Sequence, residues 1–118
     1  MAVVDKKTLK VIARWPINGA KTNLTVALDE ADHRLFVGSR NPSKLFVLNT
    51  DTGATVAMLD APATSDGLFR DSARKRVYVP GGDGYLGVYQ QPPDGNTRCN
   101  ELGAGSVHPY DRQQLNFF

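Results

Sequence analysis

The sequence predicts an all-β protein built from repeated four-stranded antiparallel sheets. Two observations carry that prediction. Segments recur at an offset of 41–44 residues with their order kept. The apolar segments between them are short, rich in Val, Leu, Phe and Tyr, and bounded by Gly, Pro, Asn or Asp, as strands are. The i, i+3, i+4, i+7 spacing of an amphipathic helix is sustained nowhere.

The repeat is read by sliding the chain along itself. "LDEADHRLFVG" (28–38) falls on "RDSARKRVYVP" (70–80), with Asp29/Asp71, Ala31/Ala73, Arg34/Arg76 and Val37/Val79 identical. "LFVL" (45–48) falls on "LGVY" (86–89), and "VVDKKT" (3–8) on "VLNTDT" (47–52). Only loop lengths differ. A unit of about 40 residues made of short strands is the signature of a propeller blade.

Each element follows from this frame, with strands A to D running from axis to rim. Residues 2–4 end a strand C, and 9–15 form a strand D. One full blade follows, with A near 24–28, B at 34–38, C at 44–49 and D at 54–59. A partial blade has A at 67–70, B at 75–80 and C at 85–89. The turn "NTDTGA" (49–54) is a tight C–D hairpin in which Gly53 supplies a positive φ. Several strands are apolar at consecutive positions, which fits a sheet packed on both faces rather than one. Residues 1–91 are therefore expected to form a partial β-propeller, a C/D remnant, one full blade and one partial blade. Residues 92–118 carry Pro92, Pro93, Gly95, Gly103, Gly105 and Pro109, with no apolar alternation. They are expected to be an irregular or disordered tail.

"VVDKKTLKVIARWPI", "VALDEADHRLFVGSRNPSKLFVLNTDTGATVAML" and "SARKRVYVPGGDGYLGVYQQ" resemble the YVTN β-propeller repeat (YncE-like) family over residues 3–91. The patterns D-x-x-T-x-K-V-x-A, D-x-x-x-x-R-L-[FY]-V-G and V-x-[DN]-T-x-T-G occur in order. The resemblance implies a seven-bladed bacterial propeller, exported to the periplasm or cell surface, that binds or scaffolds without catalysis. Seven blades need about 300 residues, so the chain is expected to be a fragment of a larger propeller. The implied alternative is a piece of a propeller enzyme, either a metal-dependent lactonase or a quinoprotein dehydrogenase-like protein.

Composition narrows the field. The 118 residues hold 14 Lys+Arg and 12 Asp+Glu, with a pI near 8.8. The cations are scattered apart from Arg74-Lys75-Arg76, so no nucleic-acid partner is expected. Cys99 is the single cysteine, which excludes an intrachain disulfide. Neither a signal peptide nor a membrane span is visible.

Several motifs tempt and fail. Asp29-Glu30-Ala31-Asp32 spells a helicase box, but no G-x-x-x-x-G-K-[ST] phosphate loop accompanies it. Its copy reads Asp71-Ser72-Ala73-Arg74, so the letters read as an A–B turn with solvated charges. "GGDGY" (81–85) precedes a strand, not a helix, and reads as a B–C turn. His33 and His108 have no zinc spacing. No catalytic residue, metal site or cofactor is expected. By fold-level analogy, a ligand or protein would bind on the face carrying loops 16–23, 39–43, 60–66 and 80–84. Asn23, Arg40, Asp66 and Asp83 are the candidate ligand-binding residues there. Exposed blade faces predict self-association.

Overall fold

The structure, a computed structural model, describes residues 1–91 and 103–109. Among them are ten strands and no helix. Strands β1 (Ala2–Val4) and β2 (Val11–Arg14) form an antiparallel hairpin. The first sheet has the order β3 (Asn23–Asp29), β4 (Arg34–Arg40), β5 (Ser43–Asn49) and β6 (Thr55–Asp60). The second sheet runs β7 (Phe69–Asp71), β8 (Arg76–Pro80), β9 (Tyr85–Gln90) and β10 (Gly103–Pro109). Every pairing is antiparallel.

Sequence periodicity becomes packing in β4. Phe36 and Val37 are adjacent, so their side chains leave opposite faces of the sheet. Phe36 packs with Leu45, Val47, Leu68, Val77, Val79 and Tyr89 in the core between the two sheets. Val37 packs with Ile17, Phe46 and Leu48 against Trp15 and Ala20, on the side of the β1–β2 hairpin. A sheet covered on both faces explains the consecutive apolar residues.

The turns repeat as faithfully as the strands. His33 and Lys75 both have positive φ, at 52° and 50°. Asp29 and Asp71 each use one carboxylate oxygen to accept a backbone N–H three residues on, from Asp32 and Arg74. In the hairpins, Asp5 Oδ1 accepts from the N–H groups of Lys7 and Thr8, and Asn49 Oδ1 from those of Asp51 and Thr52. Gly53 (φ 75°) has Leu9 (φ 58°) as its counterpart.

Leu9 is 79% exposed and has no packing to offset its left-handed backbone, which costs a side-chain-bearing residue roughly 1–2 kcal/mol. Leu9→Gly should therefore stabilise the chain by about 1 kcal/mol, despite glycine's greater freedom when unfolded. The urea midpoint should rise with the m-value unchanged; a fall would refute the strain.

One expectation is corrected. Within the tail expected to be irregular, Gly103–Pro109 forms the fourth strand of the second sheet, paired with β9 from Gly103↔Gln90 to Pro109↔Tyr85. The sequence Gly-Ala-Gly-Ser-Val-His-Pro has little β propensity. Its strand conformation comes from the hydrogen-bonding edge that β9 presents, since strand preference depends on context more than on composition. The rest of that expected tail, 92–102 and 110–118, lies outside the described residues.

Candidate functional site

Two ends of the sheets gather polar side chains. At the end bearing the turns after β3 and β7, Asp29 is 1% exposed, although the sequence reads that turn as solvated. Its Oδ2 accepts from Arg70 Nη2 at 2.5 Å and from Gln91 Nε2 at 3.0 Å. Arg70 Nε also donates to Gln91 Oε1 at 3.3 Å. Beside this cluster, Lys75 Nζ meets Asp32 Oδ2 at 2.9 Å. The acceptors Asp29 and Asp32 belong to the first sheet, and the donors lie on or next to strands of the second. The D-E-A-D letters are thus half of an intersheet clasp, not a catalytic box.

Burial pushes the Asp29 carboxyl upward. The Gln91 amide, the Asp32 N–H and the Arg70 guanidinium outweigh that and hold it below its ordinary 3.8. The folded state therefore favours the carboxylate. That contribution is complete above pH 3.8 and is lost as pH falls through the lower folded value.

A second intersheet bond lies at the end of β6. Tyr89 Oη donates to the Asp60 carbonyl at 2.6 Å. Burial, with a smaller effect from the Asp60 charge, pushes the phenol up to about 12. A raised value means stability is complete below pH 10 and lost as pH climbs toward 12. Tyr89→Phe should cost about 1 kcal/mol at neutral pH and abolish most of the alkaline loss. Denaturation midpoints at pH 7 and 11 check this, and an unchanged alkaline loss would refute it.

The opposite end carries the residues that the sequence marks for binding. Loops from both sheets are laced there. Lys21 N donates to Asn41 O, Arg40 N to Thr22 O, and Gly82 N to Thr64 O, while Ser65 bridges Gly81. Arg40 forms an ion pair with Asp66, and its Nε reaches the Ser65 carbonyl at 3.4 Å. Asp83 Oδ2 accepts from the Ala63 N–H at 2.9 Å. Asn23 opens β3 opposite Ser39. Arg40 and Asp66 are thus brought into contact, whereas Asp83 is engaged separately by the loop 60–66. Sequence reasoning missed Ser39 and Thr25. Their hydroxyls are buried on paired strands β4 and β3 without a hydrogen-bond partner. Thr25 Oγ1 lies against Gly38 on the face of β4 that packs on the second sheet, and Ser39, adjacent to Gly38, leaves the opposite face, so the two hydroxyls are separate buried polar groups.

Between the hairpin and the first sheet lies a third feature, a pocket of about 540 Å³. Arg14, Asn18, Thr52 and Thr55 supply polar groups, and Trp15, Phe46 and Met58 apolar walls. The Trp15 ring lies against Gly53, where a Cβ would overlap it.

Among the described residues, no three of His, Cys, Asp and Glu gather as metal ligands would. No helix among them is long and apolar enough to cross a membrane. No family model, curated protein or solved structure matches the chain.

Proposed function

We propose that the hairpin and the two sheets are consecutive blades of a β-propeller of the YVTN type, and that the chain is a non-enzymatic binding or scaffold module. The observation that carries this is the repetition of geometry, not of letters alone. His33 and Lys75 share a left-handed backbone, which is uncommon outside glycine. Asp29 and Asp71 close the same turn, and both core clusters arise from the same sheet-on-sheet step. A stack of such units, each covered on both faces, is how propellers bury their cores.

In this reading the end carrying Arg40, Asp66, Asp83 and Asn23 is the binding face. An exposed ion pair, Arg40 with Asp66, and the loop carboxylate of Asp83 suit a polar ligand or a polar protein surface. Closure of the stack distinguishes a propeller from a linear array of the same units. Tandem copies of residues 23–66 should close into compact monomers at a fixed copy number. Scattering would show the radius of gyration levelling off with copy number. A rod lengthening with every copy would overturn the propeller.

A further inference from the structure

The turn geometry places three residues at one position of the repeat. Gln91 N donates to Lys75 O, and Thr50 N donates to His33 O, so Gln91 and Thr50 correspond. Thr50 follows Asn49 as Lys6 follows Asp5, and those two turns are built from matching hydrogen bonds. Lys6 therefore stands where Gln91 stands. Gln91 is the residue whose amide meets buried Asp29 across the intersheet step.

The two ends of the stack are complementary in the same frame. On the second sheet, Val77, Val79 and Tyr89 face the first sheet and are buried. Tyr78, Leu86 and Val88 alternate with them and are half-buried, whereas their counterparts Phe36, Leu45 and Val47 are at most 1% exposed. Asp71, the counterpart of Asp29, has Oδ1 on the Arg74 N–H and Oδ2 on the Arg74 guanidinium at 2.9 Å. Its second oxygen serves one donor, where that of Asp29 serves two. At the other end of the stack, Val4 is 51% exposed, although its counterpart Tyr89 is fully buried.

We infer that the outer face of the second sheet docks the β1–β2 hairpin of a second copy of this chain, with Lys6 of that copy on Asp71. The contact continues the intersheet step already present inside the molecule, with an ammonium in place of the Gln91 amide. It sets Val4 against Leu86 and Val88. The contact joins two different surfaces, so it propagates head to tail and does not stop at a symmetric dimer. This inference rests on the stacking part of the proposed function.

Sedimentation equilibrium of the full chain across a range of concentrations tests it. The mass should grow with concentration, and less so at high salt. Lys6→Glu lies in an exposed turn that its backbone holds, and should weaken association about tenfold. The pair K6E/D71K should recover it in part, since a lysine at position 71 cannot accept the Arg74 N–H, and Val4→Asp should abolish it with the melting curve of the monomer unchanged. A chain that stays monomeric, or that associates equally well as K6E, would overturn the inference, as would failure of K6E/D71K to recover association. The two readings fail separately. A closed tandem array with a monomeric native chain removes this contact alone. A rod-like array with the charge swap working removes the propeller alone.

Discussion

Asp29→Ala should lower the unfolding free energy by about 3–5 kcal/mol, because it leaves the partly buried Arg70 cation without its carboxylate. Arg70 is 14% exposed, so water cannot replace the lost partner fully. The same change takes the acceptor from the Gln91 amide and from the Asp32 N–H. Small domains are stable by about 5–15 kcal/mol, so the loss is a large share of the total. Asp71→Ala is the internal control. It removes the same turn acceptor, but its ion pair with Arg74 is open to solvent and its cost should be a small fraction of that of Asp29→Ala. Urea denaturation of the two variants measures the contrast, and equal losses would show that the clasp contributes nothing beyond the turn.

Gly53→Ala is the second large effect, expected at about 2–5 kcal/mol. A left-handed backbone costs an alanine roughly 1–2 kcal/mol, and forcing atoms into a packed site typically adds 1–3. At φ 75° the new methyl would overlap the Trp15 indole. Gly84→Ala separates the two contributions: φ is 92° there, but nothing lies within 4 Å of the added carbon. It should cost only the backbone share. Trp15 is the single tryptophan, so its fluorescence reports the displacement directly. Emission should shift red in Gly53→Ala and stay put in Gly84→Ala. An unshifted spectrum in the first would mean that the ring does not rest on Gly53.

The strands from 34 to 49 were legible because consecutive apolar residues leave a sheet no dry face to lose, and the structure buries both faces of β4. The turns were legible from the recurrence of Asp29 and Asp71. The role of Asp29 was not. Its partners Arg70 and Gln91 lie 41 and 62 residues away, and no local pattern distinguishes a buried carboxylate from a solvated one. The left-handed backbone of His33 and Lys75 was equally silent, because neither residue is Gly or Asn. β10 was missed for the opposite reason: its own residues argue against a strand, and the pairing edge of β9 overrides them. At the loop end, the sequence picked out Arg40 and Asp66 but could not show that they would meet each other. The buried hydroxyls of Ser39 and Thr25 become special only once neighbours have covered them.

The clasp has a consequence for synthesis. Asp29 leaves the ribosome well before Arg70, and Gln91 follows later still. During that interval the carboxylate is hydrated and the apolar face around Phe36 and Val47 lacks its cover. The first sheet is therefore completed by chain made after it, and each unit matures its predecessor. A nascent chain halted with only residues 1–66 outside the tunnel should exchange the amide hydrogens of residues 32–37 rapidly. One halted after the second sheet has emerged should protect them.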